Sequence, residues 1–169
     1  MAPPVPASPA PASPAPFAVC LLCSGNICRS PMAAVVLADL AGRRGLDGGT
    51  LADRLRITSA GIGGWHAGEP MDPRARRALE ARGYRDPGHV ARQLDRRRLS
   101  ELDLVVALDR SHLVREIESV LLRRFDPLAS GALEVPDPYY GDDDGFAECL
   151  AVIERSCGGL VEWLAARLA

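Results

Sequence analysis

Lysine is absent from this sequence, because all 20 of its basic residues are arginines. They are matched by 22 acidic residues, and the formal net charge is −2. A charge so close to balance excludes a whole-molecule field that would attract nucleic acid or a membrane surface. We interpret the missing lysines as a codon bias without functional meaning. Apolar runs of the ~20 residues that a membrane-spanning helix needs are also absent.

The sequence also lacks the features of a secreted, disulfide-rich protein. Its five cysteines are an odd number, and a hydrophobic fraction of 47% over 169 residues is sufficient for a core of ordinary size. Secreted disulfide scaffolds instead combine paired cysteines with small cores. The first residues show no basic region followed by an apolar stretch, as a secretory signal would. We therefore expect a single soluble domain in the cytoplasm.

Core-forming side chains are scarce in the first sixteen residues. The stretch "APPVPASPAPASPAP", positions 2–16, alternates proline with alanine and serine, which removes backbone donors and supplies no core. This composition predicts a disordered or polyproline-II-like tail over residues 1–16 and a folded domain over residues 17–169. The tail could be a recognition segment, but a solvated extension is the favoured interpretation.

Apolar runs of strand length alternate with helix-like segments in the rest of the chain. The strand-like runs are "FAVCLL", "LRITS", "DLVVAL" and "VLLRRF", the last of which could also extend a helix. Helical patterns occupy "MAAVVLADLAGRRG", "DPRARRALEARG", the stretch from about Arg110 to Glu118, and a C-terminal segment with Phe146, Leu150, Ile153, Cys157, Leu160 and Leu164 on one face. This alternation predicts an α/β fold: a three-layer αβα arrangement with a four-stranded parallel sheet, opening with a strand, a loop and a helix.

Capping residues mark the expected ends of these helices. Ser30 is placed to cap the first helix with Pro31 in its first turn, and Asp72 to cap the second, which Gly83 would end. The acidic residues 142–144 look like a solvated loop.

The stretch "CSGNICRSP", residues 23–31, follows the first strand, and in a parallel sheet such a loop lies at the edge where ligands bind. Gly25 and Asn26 tolerate left-handed backbone conformations, so successive amides can turn inward and form an anion-binding nest. The following helix adds the positive end of its dipole. Arg29 adds a planar guanidinium that suits two phosphate oxygens. The loop is therefore predicted to bind a tetrahedral oxyanion.

Cys23 opens this loop. A free thiol with pKa ~8.5 is only about 3% ionised at neutral pH, but nest amides, a helix dipole and Arg29 can together stabilise a thiolate. The Ser30 hydroxyl could donate one further bond. A thiolate could attack phosphorus, and water would then hydrolyse the thiophosphate. The alternative, an ordinary buried cysteine at a strand end, is disfavoured by the composition of the loop.

The spacing of cysteine, arginine and serine is weak evidence alone, because Cys149, Arg155 and Ser156 repeat it in "CLAVIERS". The interior of that segment is apolar, lacks glycine and continues a helical pattern. Helical amides bond within the helix, so no anion site is predicted there.

"VCLLCSGNICRSP" resembles the phosphate loop, C-x5-R-[ST], of the low-molecular-weight protein tyrosine phosphatases. The segments "TSAGIGGWHAGEPMDPRA", "LVVALDRSH" and "EVPDPYYGDDDGF" resemble further segments of that family in the same order. The similarity runs from about Phe17 to the C-terminus, and the bacterial members are the most similar. It implies a phosphatase that hydrolyses phosphotyrosine in a protein or peptide through a cysteinyl phosphate, releases inorganic phosphate, and needs no metal or organic cofactor.

The resemblance also implies residue roles: Cys23 as nucleophile, Arg29 as phosphate-binding arginine and Asp137 as general acid. Residues implied to surround the substrate are Ser24, Gly25, Asn26, Ile27, Cys28, Ser30, Trp65, Tyr139 and Tyr140. Ser59 would support the left-handed Asn26, and Ser30 would stabilise the leaving thiolate. Asp137 has independent support, because aryl phosphate cleavage needs a proton donor and two flanking prolines restrict its backbone. A simple turn aspartate is the alternative.

Several of these positions have a second interpretation. Trp65 could form a stacking wall or pack in the interior. The family implies that Tyr139 and Tyr140 can be phosphorylated, and that Cys28 can pair with Cys23 in a reversible disulfide that protects the thiolate.

The three histidines, His66, His89 and His112, do not have the spacing of metal ligands. They are therefore expected to be structural or exposed.

Many family members have a histidine before a glycine near the second helix, where this chain has Arg82 before Gly83. The hydrogen-bond network behind Asn26 could therefore be completed differently here.

Three other functions are alternatives for this sequence. An arsenate reductase shares such a loop but needs two further cysteines; residues 29–148 contain none, and Cys149 and Cys157 lie in a helical pattern. Metal binding through "CLLC" with Cys28 would place two ligands on opposite faces of a strand. A non-catalytic phosphotyrosine-binding module fits poorly with an intact nucleophile, arginine and acid.

Overall fold

The structure, a computed structural model, describes residues 14–169. Most of the predicted tail, residues 1–16, therefore lies outside the described residues, and its boundary with the folded domain stays a prediction. The first strand begins at Phe17.

The helices and strands follow one another in an alternating order. They are β1 (Phe17–Cys23), α1 (Arg29–Arg43), β2 (Gly45–Leu46), β3 (Gly49–Thr50), β4 (Leu55–Gly61), α2 (Pro73–Ala81), β5 (Leu104–Ala107), β6 (Ser119–Leu121) and α3 (Asp143–Arg167). Short 3-10 helices occupy Leu51–Arg54, Arg96–Glu101, Arg110–His112 and Leu122–Phe125.

The main sheet has four parallel strands in the order β4-β1-β5-β6. Cys23, at the end of β1, lies opposite Gly61, at the end of β4, and Leu22 lies opposite Ala107 at the end of β5. The carboxyl ends of these three strands therefore meet at one edge of the sheet, where ligands bind in this architecture. The predicted α/β fold with a four-stranded parallel sheet is confirmed.

The two faces of the sheet are covered differently. α1, α2 and α3 pack on the face that includes Val19 and Leu21, and with them they form the larger core. The other face includes Cys20 and Leu22 and is covered by a thinner layer of 3-10 helix and loop that includes Leu99. Alternate residues of β1 enter opposite cores because side chains alternate along a strand, and the result is three layers.

The C-terminal helix has the apolar face that the sequence predicts. Its predicted core positions are all buried: Phe146, Leu150, Ile153, Cys157, Leu160 and Leu164. Asp142 begins this helix, since its carboxylate accepts a bond from the Gly145 amide at 3.0 Å. The expectation of a solvated acidic loop at 142–144 was wrong in this respect, although all three side chains are exposed. Within residues 14–169, no helix combines the length and apolarity needed to cross a membrane.

The predicted helix from Arg110 to Glu118 is also wrong. Only Arg110–His112 is helical, as a single 3-10 turn. The Asp109 carboxylate caps this turn by accepting from the Ser111 amide at 2.9 Å, and the chain then reverses toward β6. "VLLRRF" supplies the end of the short strand β6 followed by 3-10 helix, and not a full fourth strand.

Candidate active site

The loop after β1 forms the floor of a cleft of about 460 Å³. The cleft is lined by Cys23, Ser24, Gly25, Asn26, Ile27, Cys28, Arg29, Trp65, His66, Asp137, Tyr139 and Tyr140. The structure therefore brings together all the residues that the sequence analysis named for the site except Ser30, which is buried beneath the floor.

The backbone of the loop suits an anion. Asn26 has φ 60°, the left-handed conformation expected for it. Among the hydrogen bonds of residues 14–169, the amides of residues 24–28 donate to no protein acceptor, and α1 begins at Arg29 without a side-chain cap. Residues 24–28 line the cleft and α1 begins directly after them, which is the composition of an anion-binding nest.

The Cys23 thiol lies on this floor and is 3% exposed. Its Sγ is 2.9 Å from the Ser30 Oγ, so the hydroxyl can donate to a thiolate. The expectation that Ser30 caps α1 was wrong, because the helix begins at Arg29 and Ser30 lies inside it. The Ser30 hydroxyl faces the sulfur and the Asn26 amide instead.

Asn26 is held by side chains and backbone from three segments. Its Nδ2 donates to the Ser30 Oγ at 2.8 Å and to the Ser59 Oγ at 3.0 Å. Its Oδ1 accepts from the Arg92 amide at 3.0 Å, and its carbonyl accepts from the His89 Nε2 at 2.7 Å. Every polar group of the asparagine that is needed to fix a left-handed turn is thus satisfied.

The network behind Asn26 does not use the position near the second helix that the sequence analysis considered. Arg82 forms a surface ion pair with Glu154 on α3. His89 completes the network instead, and burial lowers the pKa of its imidazole. The prediction of a structural role for His89 agrees with this contact.

Arg29 is fixed by two acceptors outside the loop. Its Nη1 donates to the Asp109 Oδ2 at 2.9 Å and to the Val135 carbonyl at 3.0 Å. Burial raises the pKa of Asp109, but hydrogen bonds from Ser111 and Arg29 outweigh it and hold that pKa below its usual range. The Arg29 Nη2 lies 3.4 Å from the Asp137 Oδ2, so the guanidinium edge that is not committed to Asp109 faces the cleft and Asp137.

His112 connects the loop to the partner of Arg29. Its Nδ1 accepts from the Asp109 amide at 3.2 Å, so its proton is on Nε2, which donates to the Ser24 Oγ at 2.9 Å. Burial lowers the pKa of His112 to about 4, with the Arg29 charge contributing and Asp109 opposing. The ring is therefore neutral at pH 7 and acts as a fixed donor to the loop.

Aromatic rings form the walls of the cleft. Trp65 is 66% exposed, so the alternative of interior packing is excluded. The ring centroid of His66 lies 6.4 Å from that of Trp65 and 6.2 Å from that of Tyr139. Tyr139 and Tyr140 meet edge to face at 4.9 Å. A row of four rings therefore borders the entrance.

The chain near Gly63 allows Trp65 to take this position. A Cβ at residue 63 would lie 1.4 Å from the indole ring, so only glycine permits the ring to fold onto the backbone there. A Cβ at Gly25 would lie 2.8 Å from the His66 ring. His66 therefore contacts the loop directly, which the sequence analysis did not expect of it.

Sequence reasoning missed the residues that hold Arg29 and Ser24. Asp109 and His112 were part of a quoted family segment, but Asp109 was given no role and His112 was expected only to be structural or exposed. One signal was available: Asp109 comes shortly after β5, at the same sheet edge as Cys23, and polar residues at that edge tend to be functional. Val135 contacts Arg29 through its backbone carbonyl, so the identity of its side chain gave no indication of this contact.

The other cysteines are unlike Cys23 in their surroundings. Cys20 and Cys23 belong to opposite cores, so "CLLC" does not bring two thiols to one metal ion. Burial raises the pKa of Cys149 to about 12, and burial together with the Asp72 charge raises that of Cys28. All five cysteines are free thiols in the structure, and a disulfide between Cys23 and Cys28 stays a prediction.

Comparison with known proteins shows the family of this chain. The family profile "Low molecular weight phosphotyrosine protein phosphatase" matches residues 18–169. The low molecular weight protein-tyrosine-phosphatase of Streptomyces coelicolor is 46% identical over 86% of this chain and 92% of that protein. Low molecular weight protein-tyrosine phosphatase A of Mycobacterium tuberculosis is 46% identical over 89% of this chain and 93% of that protein.

Solved structures show the same fold. YfkJ from Bacillus subtilis superposes with a TM-score of 0.77 at 30% identity, covering 92% of this chain and 99% of that one. A protein tyrosine phosphatase from Entamoeba histolytica gives 0.80 at 25% identity, covering 90% and 99%.

The chain belongs to the low molecular weight protein-tyrosine phosphatase family. It is a hydrolase that removes phosphate from a phosphorylated protein, and the reaction typical of the family passes through a cysteinyl phosphate. The arsenate reductase and the non-catalytic binding module are not favoured by these relatives.

Proposed function

We propose that Cys23 is the nucleophile of this phosphatase, that Arg29 and the amides of residues 24–28 hold the phosphoryl group, and that Asp137 is the general acid. The observation that carries the proposal is the juxtaposition at the cleft floor. A buried cysteine whose sulfur is 2.9 Å from a serine hydroxyl lines the same cleft as residues 24–28, whose amides are unpaired within residues 14–169, and the Asp137 carboxylate lies 3.4 Å from the guanidinium of Arg29.

In the first step the thiolate of Cys23 forms a bond to phosphorus while the bond between phosphorus and the tyrosine oxygen breaks. Asp137 in its protonated form donates its proton to that oxygen, so the phenol leaves neutral. The Asp137 side chain is 46% exposed at the cleft, so it can reach the leaving oxygen and exchange protons with water. The negative charge that develops on the phosphoryl oxygens meets the amides and Arg29.

In the second step Asp137, now a carboxylate, takes a proton from water as the water attacks phosphorus. The bond between sulfur and phosphorus breaks, and inorganic phosphate is released. The sulfur leaves as a thiolate, which the Ser30 hydroxyl at 2.9 Å stabilises by donating a hydrogen bond. One carboxyl group therefore serves as acid and then as base.

We further propose that the substrate is phosphotyrosine on a protein or peptide. The row of rings from Trp65 to Tyr140 borders the entrance, and such rings suit the flat faces of a phenyl ring. The side chain of phosphoserine is shorter and would not bring its phosphate to the floor while its backbone stays outside.

Rapid mixing with an aryl phosphate tests the nucleophile. We expect a burst of phenol, and acid quenching followed by peptide mass spectrometry should locate the phosphoryl group on Cys23. Release of phosphate from a phosphotyrosine peptide should greatly exceed release from a matched phosphoserine peptide, and EDTA should leave both rates unchanged. A phosphoryl group on another residue, or loss of activity in EDTA, would refute the proposal.

A further inference from the structure

Arg74, in the first turn of α2, lies between the phosphate loop and the segment that carries the acid. Its guanidinium grips the Asp72 carboxylate with Nε at 3.1 Å and Nη2 at 2.9 Å. Its Nη1 donates to the carbonyl of Gly141 at 3.0 Å. One planar group therefore joins the start of α2 to the end of the segment 137–141, which we call the acid segment.

The same guanidinium also lies over two rings. Its carbon is 5.7 Å from the centroid of Tyr139 and 4.6 Å from that of Phe146. Phe146 is fully buried in the first turns of α3, so it is a rigid base for the stack. Contacts of this kind are favourable and directional, and Arg74 therefore holds the acid segment through both its backbone and its ring.

One end of this connection reaches the phosphate loop, and the other reaches the proposed acid. The Asp72 amide donates to the carbonyl of Ile27, in the phosphate loop, at 2.9 Å. The Tyr139 amide donates to the Asp137 Oδ1 at 3.1 Å, so a shift of Tyr139 would move the carboxyl group. The path thus runs from the phosphate loop through Asp72 and Arg74 to the acid.

We propose that Arg74 is a positioning residue that sets the distance between the Asp137 carboxyl and the phosphoryl group. This inference rests on the proposed role of Asp137. Arg74 does not line the cleft and therefore acts through the acid segment. Nothing in the sequence spacing indicated this, because Arg74 is one of four arginines between residues 74 and 82.

The test is the variant Arg74→Met, which keeps an unbranched side chain and removes the guanidinium. The matched control is Arg77→Met, since Arg77 lies on the same helix and pairs with the Asp143 carboxylate at 2.9 Å without contacting the acid segment. Dinitrophenyl phosphate and phenyl phosphate are compared by kcat/KM, which includes the transfer to sulfur. The ratio of the two values in one sample does not depend on the folded fraction.

A leaving group as acidic as dinitrophenol needs little protonation, whereas phenol needs the acid. For Arg74→Met we expect kcat/KM to fall about 10-fold or more for phenyl phosphate and less than about 3-fold for dinitrophenyl phosphate, since a positioned acid contributes 10²–10⁴-fold. Arg77→Met should leave the ratio unchanged. Equal losses for the two substrates in Arg74→Met would overturn the proposal.

The double variant with Asp137→Asn separates the two hypotheses. If Arg74 acts through Asp137, Arg74→Met should cause no further selective loss once the acid is removed. Additive losses would show that Arg74 acts elsewhere and would overturn the positioning role alone. If Asp137→Asn itself showed no dependence on the leaving group, the acid role in the proposed function would be wrong and the positioning proposal would fall with it.

Discussion

Residues 23–30 and residues 149–156 have the same spacing of cysteine, arginine and serine, yet the structure places them in opposite settings. The first segment runs from the end of β1 through a loop to the start of α1 at the carboxyl edge of the sheet, and among the described residues the amides of its loop residues 24–28 are unpaired. The second lies inside α3, where amides bond to carbonyls of the same helix. The comparison shows that the same side-chain spacing occurs on two different backbones, and only the first of them leaves amides unpaired for an anion.

The serines of the two segments differ in the same way. The Ser30 Oγ lies 2.9 Å from the Cys23 sulfur. The Ser156 Oγ instead donates to the Val152 carbonyl at 2.7 Å, one helical turn earlier, which is the usual partner of a serine inside a helix. A hydroxyl committed to its own helix cannot stabilise a thiolate.

The arginines have different tasks as well. Arg29 donates with one nitrogen to Asp109 and directs the other toward the cleft. Arg155 uses Nε and Nη2, both at 3.1 Å, to bind the Asp126 carboxylate. Asp126 is fully buried at its side chain, so Arg155 neutralises a buried charge.

The largest expected effect comes from exchanging each sulfur for oxygen. Cys23→Ser should lower kcat by about 10⁴-fold or more, because a serine hydroxyl is not ionised at neutral pH and the nucleophile is lost. Binding of inorganic phosphate, measured by calorimetry, should persist because Arg29 and the amides remain. Cys149→Ser should keep kcat within about 2-fold, since its burial raises the pKa of the thiol to about 12. An active Cys23→Ser enzyme would show that Cys23 is not the nucleophile, and the proposed functional difference between the two segments would be wrong.

Replacement of Arg29 should reduce catalysis, whereas replacement of Arg155 should reduce stability. Arg29→Lys should lower kcat/KM by about 10²-fold or more, because a lysine cannot present a planar pair of donors to phosphate. Arg155→Met should instead reduce the free energy of unfolding by about 1–3 kcal/mol, less than for a fully buried pair, because Arg155 is about one third exposed. Urea unfolding and steady-state kinetics on both variants check this. A kinetic defect in folded Arg155→Met would contradict it.

The sequence predicts those features of the fold and the site that a short segment determines by itself. Gly25 and Asn26 in "CSGNIC" tolerate a left-handed backbone, so the loop and its anion-binding role could be predicted. The strand before the loop could likewise be predicted from its own apolar run. Asp109 and His112 act through contacts with residues more than 75 positions away, and no local pattern encodes such a distance. The segment after Asp109 has helix-compatible composition, but only the 3-10 turn Arg110–His112 forms, and His112 is held by a contact with Ser24 that no local pattern encodes.

The pH dependence of stability should also distinguish the two segments. The folded pKa of His112 is about 4, below its ordinary value of 6.5. Protonation therefore favours the unfolded chain, so the contribution of His112 is complete above pH 6.5 and is lost as the pH falls toward 4, by up to about 3 kcal/mol. Asp126, which anchors the helical segment, has a pKa lowered from 3.8. Its contribution is therefore lost only at still lower pH.

The variant His112→Gln isolates this effect. Urea unfolding between pH 7.5 and about pH 4.5 should show a smaller decline for the variant than for the wild type. His89 also has a pKa lowered by burial, but it is present in both proteins and cancels in the comparison. Parallel declines for the two proteins would show that His112 is not the residue that links the phosphate loop to pH.

The smallest expected effects concern Gly158 and Gly159, which follow the second segment in α3. A Cβ at residue 159 would lie 2.1 Å from the carbonyl oxygen of Phe125, whereas a Cβ at residue 158 would meet nothing within 4 Å. Gly159→Ala should therefore reduce the free energy of unfolding by about 1–3 kcal/mol through overpacking against backbone. Gly158→Ala should increase it by about 0.5–1 kcal/mol, because alanine favours the helix.

Chemical denaturation of the two alanine variants measures these opposite signs within one helix, and kcat should not change in either. If Gly159→Ala were as stable as Gly158→Ala, α3 would not approach the 3-10 helix Leu122–Phe125 as closely as the structure has it. The buried pair of Asp126 and Arg155 that defines the helical segment depends on that approach, because Asp126 directly follows Phe125. Adding one methyl group at residue 159 therefore tests whether close packing against Phe125 gives residues 149–156 their structural role.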